Sequence, residues 1–314
     1  MNSGVSFEHI VQAALRLGFS ACGIAPAHEV AAEVSTAYRQ WIDKGRYAEM
    51  DYLARHLDKR FNPSLLVPGT KSIVSVALNY YPPHRIPATS YQIATYALGD
   101  DYHDVMKKKL HQLQDSIGGL RSFCDTAPVL ERYWAVQAGL GWIGKNHQLI
   151  IPHAGSHFFL GEVFLPYSLS HYSEPMTGHC GTCNACLQAC PTTALQADDA
   201  LGFDAERCLS YQTIEYRAAF LSPHVQASMG NSIYGCDRCQ DVCPWNRFAT
   251  PTKEPRLQPR PALLSMTKEA WHRFTPEQYG LLLKGSAMKR AKYDMLMRNI
   301  HAASNRQQAA ISKQ

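Results

Sequence analysis

No secretory signal opens this sequence: MNSGVSFEHIVQ contains neither a basic n-region nor an apolar h-region. No apolar run could cross a bilayer, since stretches such as Ser72–Leu78 fall far below the ~20 residues a membrane helix needs. Charge is sparse, at 18% of residues against 46% hydrophobic, which excludes a self-repelling disordered chain. No internal repeat occurs beyond two Cys-Pro endings, which excludes a repeat array. What remains is a globular chain of 314 residues, long enough for a substantial core and expected to hold two domains and a tail.

Cysteine, by contrast, is concentrated. Eight of the ten cysteines lie between Cys180 and Pro244. Cys180-Gly-Thr-Cys183-Asn-Ala-Cys186-Leu-Gln-Ala-Cys190-Pro191 is the bacterial ferredoxin run C-x2-C-x2-C-x3-C-P. In that run three thiolates hold one [4Fe–4S] cube and the fourth reaches a second. Cys236-Asp-Arg-Cys239-Gln-Asp-Val-Cys243-Pro244 repeats the ending without its leading cysteine, which Cys208 can supply. The spacing therefore predicts crossed ligation. Cys180, Cys183, Cys186 and Cys243 hold one cluster, and Cys190, Cys208, Cys236 and Cys239 the other. Structural zinc has no use for a third cysteine so close to a C-x2-C pair. Disulfides suit small secreted chains. Oxygen-sensitive clusters and free thiols suit a reducing cytoplasm.

Net charge is +5, unevenly placed. From Pro251 onward twelve Lys/Arg face four acids, so the tail carries +8 and the rest about −3. Such a segment suits a polyanionic partner, or else a solvated helix face.

Apolar spacing at Phe7, Ile10, Val11, Ala14 and Leu15 predicts a helix over Phe7–Leu17, stopped by Gly18. A strand at Ala21–Ala25, a helix at about Ala31–Lys44 and a buried strand at Ser72–Asn79 follow. Met106, Leu110, Leu113 and Ile117 mark an amphipathic helix ending at Gly118-Gly119. A strand over Leu120–Asp125 runs into a helix opened by Thr126-Ala-Pro128 and reaching about Ala138. Strands at Gln148–Ile151 and Phe158–Phe164 precede the cysteines. The fold class expected is α+β. It comprises an α/β-type sheet domain over 1–172, a ferredoxin-like two-cluster module over 173–249, and a Pro-rich linker with a basic helical tail over 250–314. The last helix is expected at about Ser286–Ala302.

Two motifs are set aside. Gly139-Leu-Gly141-Trp-Ile-Gly144 matches G-x-G-x-x-G, but a helix-like stretch precedes it and a strand follows, the reverse of a dinucleotide site. Its glycines are expected to let backbone approach something large and flat, with Lys145 and Asn146 at the turn. Asp101-Tyr-His103-Asp-Val-Met106 resembles the cobalt-ligating D-x-H-x-x-G but lacks its glycine, so His103 reads as a capping or surface histidine.

Asp125 closes a strand where open sheets present chemistry. It reads either as an N-cap before a Pro-led helix or as a general acid whose pKa rises against an apolar cofactor. Cys124 and Cys22 read as core.

The combination of Lys59-Arg60-x-x-Pro63, Asp101-Tyr-His-Asp104, Asp125-Thr126, Gly139-Leu-Gly-Trp-x-Gly-Lys-Asn146, Gly161-Glu162 and Gly235-Cys236-Asp-x-Cys239-Gln-x-Val-Cys243-Pro244 resembles the epoxyqueuosine reductase family. The resemblance runs over about residues 5–250. It implies a cobalamin-dependent enzyme with two [4Fe–4S] clusters, related to reductive dehalogenases, that reduces epoxyqueuosine to queuosine at the wobble position of tRNA. It implies Asp125 as catalytic acid, Arg60 as a cobalamin contact, and Leu149, Leu160, Val163 and Ser210 as walls of the corrin, largely through main chain. Many relatives carry a helical-repeat domain after this point, so here Lys289, Arg290 and Lys292 are expected to meet tRNA. An external electron donor, no membrane contact, a monomer and a cytoplasmic site are expected. The rivals are a non-catalytic ferredoxin-type electron carrier and a cobalamin-dependent reductase of a small molecule.

Overall fold

The computed structural model describes residues 5–196 and 201–311, with side chains described through Ser304. Its centre is a four-stranded sheet of β1 (Ala21–Pro26), β2 (Ser72–Asn79), β3 (Arg121–Phe123) and β4 (Phe158–Leu165), in the order β1-β2-β4-β3. Every neighbouring pair is antiparallel, and Ser75 lies opposite both Gly23 and Glu162. The sheet domain is thus α+β, as expected.

Helices cover both faces, which is why β2 is apolar almost throughout. Alternation sends Val74 and Val76 to the face bearing α1 (Phe7–Arg16) and α2 (Tyr102–Ile117), where Ile10, Leu110 and Leu113 meet them. Ile73 and Ala77 point the other way, to Tyr133 and Trp134 of α3 (Glu131–Gln137). Cys124 is buried in the first of these cores and Cys22 packs against it.

A third core joins distant parts of the chain. Tyr91 and Leu98, Leu209 and Tyr234, and Trp271, Met288, Leu296 and Ile300 are buried together in it. A short parallel ribbon of Gln92–Ile93 with Ser232–Tyr234 stitches the first two parts. The tail supplies short helices and then α4 (Tyr293–Ile311), whose Asn299 donates to the carbonyls of Thr213 and Ile233, each at 2.9 Å.

Three local expectations are corrected. The strand ends at Phe123, and α3 starts only at Glu131 with Leu130 as its N-cap. Pro128 disfavours a helical residue before it, and tight Thr126 N–Cys124 O and Val129 N–Ala127 O bonds shape residues 124–130 instead. The helix expected over Ser286–Ala302 is broken into a 3-10 turn at Ala287–Arg290 and α4. Carbonyls a continuous helix would use are taken elsewhere: Tyr234 donates to Ala287 O, Arg217 to Arg290 O and Tyr279 to Ala291 O.

The third correction concerns the glycine motif, which admits the protein's own backbone. A Cβ on Gly141 would stand 2.0 Å from Ile150 O, and one on Gly139 (φ +69°) 2.7 Å from Glu174 O. Gly141→Ala should therefore lower the urea midpoint, costing about 1–3 kcal/mol or more because backbone must move. An unchanged midpoint would show that the hairpin of Trp142–Ile143 with Leu149–Ile150 gives way freely.

Candidate active site and cluster sites

All eight cysteines of the predicted sets are free thiols. Helices Ala185–Ala189 and Arg238–Asp241 pack together, which brings the two Cys-Pro endings into one unit. Mutual electrostatics sorts the thiols into two groups. Burial pushes Cys186 up, with Cys243 and Cys180 as like-charged neighbours, and Cys243 in turn senses Cys180 and Cys183. Burial likewise raises Cys208, which senses Cys190. Cys236 is held at about 12 by burial and then by Cys208, and Cys239 is raised by burial, Cys236, Cys208 and Cys190. The first group includes the exposed Cys183, and the second is the more enclosed. Among the described residues no three His, Cys, Asp or Glu side chains converge on a single-ion position. Two cubes, each with ligands spread over its corners, suit these donors better than one zinc ion does. Lys145 braces the first loop by donating to Gly181 O at 2.8 Å and Cys183 O at 2.9 Å.

Asp125 stands just past β3 in a left-handed conformation, φ 58°. It is no helix cap. Three groups hold it. Tyr102 donates to Oδ2 at 2.5 Å, His103 Nε2 lies 3.4 Å from the same oxygen, and the Asp125 backbone N–H donates to Glu131. His103 also bonds Asp101 at 2.8 Å, the N-cap of α2. Asp125 keeps 59% of its side-chain surface open.

Electrostatics departs from the acid expected. The hydrogen bond from His103 lowers Asp125 below the usual carboxylate range against the effect of burial, and Tyr102 adds to the lowering. Burial opposes charge on His103, but bonds to Asp101 and Asp125 outweigh it and raise the imidazole to about 9. The stored proton thus sits on His103. Burial, then the Asp125 charge, raises Glu131 to about 8. Behind it Glu162 is 0% exposed, with neither carboxyl oxygen hydrogen-bonded, and burial keeps it neutral.

Arg60 is buried, donates to Tyr52 O at 3.1 Å and lies 5.6 Å from the Tyr38 ring centre, leaving Nε without a partner. Tyr38 senses both Arg60 and Arg132, and Arg132 in turn senses Asp125. Arg132 also donates to His147 O, close to Leu149. Asp125, Arg132 and the His147–Leu149 turn therefore lie in one neighbourhood, with Arg60 reached through Tyr38. Leu160 and Val163 point to opposite faces of β4, and the Val163 side chain is wholly buried in the α1/α2 core. They cannot wall one cofactor by side chains. Ser210 lies in the helix Leu209–Ile214 that follows Cys208. Lys289 and Lys292 are exposed, while Arg290 forms a two-pronged pair with Glu215 at 2.8 and 2.7 Å.

Tyr102, His103, Glu131 and Glu162 were not singled out as site residues from sequence. The one usable signal was Asp101-Tyr-His-Asp104 at a helix start.

Residues 179–246 match the family described as a 4Fe-4S double cluster binding domain. Fold and motif thus define an iron–sulfur redox protein whose sheet domain holds a carboxylate at a strand end. Residues 60–126 match the family described as Epoxyqueuosine reductase QueG, DUF1730. The epoxyqueuosine reductase of Cellulophaga algicola is 42% identical over 307 residues, 96% of this chain and 99% of its own. That of Pseudomonas aeruginosa is 41% identical, over 90% of this chain and 81% of its own. The chain belongs to the epoxyqueuosine reductase family. A crystal structure of epoxyqueuosine reductase with an epoxyqueuosine-modified tRNA-Tyr stem loop aligns with TM-score 0.83 at 28% identity, covering 94% of this chain and 80% of that one. The Bacillus subtilis enzyme, solved with its catalytic aspartate loop swung out of the active site, gives 0.82 at 27% identity over the same shares. Among the described residues no helix is long and apolar enough to cross a membrane.

The His103 pairing has a pH signature. Its folded pKa of about 9 exceeds the unfolded ~6.5, so its stabilisation is complete below ~6.5 and is lost as pH rises through 9. Asp101→Asn keeps a cap oxygen but removes the charge. NMR should then find His103 titrating nearer ~6.5, and the stability gap to wild type should close at high pH. An unmoved titration would mean that Asp101 does not set the charge.

Proposed function

We propose that this protein reduces the epoxide of epoxyqueuosine to the alkene of queuosine at the wobble position of tRNA, the final step of queuosine biosynthesis. One observation carries the reading beyond family membership: Tyr102 and His103 fix the direction of the half-open Asp125 carboxyl, in a chain that also carries eight thiols at the spacing of two clusters. Cys180, Cys183, Cys186 and Cys243 would ligate one cluster, and Cys190, Cys208, Cys236 and Cys239 the other. Cobalamin is the implied partner beside Asp125. The unpartnered Arg60 Nε offers a buried donor on that side, which suits a group carrying acceptors. When bound, the clusters and cobalamin would supply the two electrons.

The balance is epoxide plus two electrons and two protons giving alkene and water. Asp125 delivers protons to the departing oxygen. His103, charged at neutral pH, renews them through its contact with the carboxylate. Tyr102 holds the carboxyl's direction. A cofactor covering Asp125 would strip the carboxyl of water and raise its proton affinity, restoring the acid that the open carboxyl lacks. The external electron donor is expected near the first thiol group, where Cys183 is exposed. Every group named comes from one chain, so a monomer suffices.

Asp125→Asn should keep the iron content and cluster absorbance yet lose turnover on epoxyqueuosine tRNA by about 10²–10⁴-fold. Full turnover would reject the acid assignment. Stem-loop affinity should also fall steeply as salt rises. A flat salt response would remove Lys289 and Lys292 from the docking surface.

A further inference from the structure

We infer that Phe220, with the arginines that pin its loop, forms a stacking platform for an unpaired base of the substrate's anticodon loop. This rests on the tRNA reading above. Phe220 is 82% exposed, although its neighbour Leu221 is buried. A lone exposed ring on a slack loop would mean little. This loop is tied down. From α4, Arg298 donates to Tyr216 O at 2.9 Å, Ala218 O at 2.6 Å and Gln212 O at 2.9 Å. Arg217 donates to Arg290 O at 3.3 Å and lies 2.9 Å from Met295 Sδ. On the far side Ser222 caps the helix Pro223–Met229. The ring is therefore held out in water by bonds on both sides, and little ordering remains to be done when a partner arrives.

Charge and position fit the same occupant. Arg217 and Arg290 share Glu215, with Lys289 and Lys292 exposed beside them, so cations outnumber acids in this patch. Residues 49–52 link the loop to the Arg60 side: the Glu49 N–H donates to Tyr211 Oη at 3.3 Å, on the helix that leads into the loop, and Arg60 donates to Tyr52 O at 3.1 Å. An aromatic face accepts any base, and cations accept the flanking phosphates, which is how single-stranded nucleic acid is held without sequence reading.

The test uses the cluster-loaded enzyme and an anticodon stem loop carrying epoxyqueuosine. Phe220→Ala should weaken binding about tenfold, as loss of one base–aromatic stack does. It should leave the salt slope and the saturated turnover rate unchanged, and Phe220→Trp should restore affinity. Stem loops with single abasic positions locate the base. One of them should bind wild type and Phe220→Ala equally weakly, whereas additive losses at every position would overturn the proposal. Unchanged affinity in Phe220→Ala, with slower reduction by a protein donor, would also overturn it and assign the ring to that donor. If wild type itself fails to bind or reduce the stem loop, the tRNA reading falls as well. If only the variant comparison fails, the platform alone is rejected.

Discussion

The site depends on a single aspartate held from both faces of a sheet. Asp101 caps α2 and orients His103, and His103 and its neighbour Tyr102 grip the Asp125 carboxyl. From the opposite face, Glu131 at the start of α3 accepts the Asp125 N–H. Asp125 itself sits at positive φ, a conformation costly for a residue with a Cβ and stable only when its surroundings over-determine it. The two helices are fixed by separate cores on β2 and β4. Packing on either face therefore reaches the Asp125 carboxyl within one or two hydrogen bonds.

This arrangement redistributes protons. A carboxyl beside a cationic imidazole is held in its charged form, and the imidazole carries the proton. Glu131 and Glu162 add a second layer, where burial favours the neutral form. A neutral Glu131 still accepts the Asp125 N–H through its carbonyl oxygen. The latch on the loop and the charge on the acid are thereby separated: the first needs an oxygen, the second needs Asp101 and His103.

How much of this was legible depends on how local the cause is. The cluster domain announces itself because thiolates at two- and three-residue spacings suit the cube's geometry, with only the proposed ligand Cys208 standing apart. The central strands and α2 were legible from apolar periodicity. Asp125 was legible as a residue but not as an environment. Its partners are contributed by α2, more than twenty residues earlier, and its φ value follows from a Pro-containing loop with no simple signature. The helix break at Ala291 was hidden for a similar reason, since Tyr234, Arg217 and Tyr279 capture the carbonyls from afar. Glycines that seemed to make room for a ligand make room for Ile150 and Glu174.

Charge in the tail shows the same limit of counting. Arg256 and Arg260 pair with Asp100, Arg290 with Glu215, and Arg298 is spent on loop carbonyls. Much of the tail's positive surplus thus fastens the tail to the segment before α2 and to the loop after Cys208. That is why counting charges overstates how many of the tail's cations remain for a polyanionic partner. Burial imposes a matching constraint on the thiols. Metal ligation needs thiolates, yet burial of Cys208, Cys236 and Cys239 favours the protonated form, so the metal's charge must offset that cost and release the protons as it binds. The enclosed group is consequently the one whose local structure should depend most on iron.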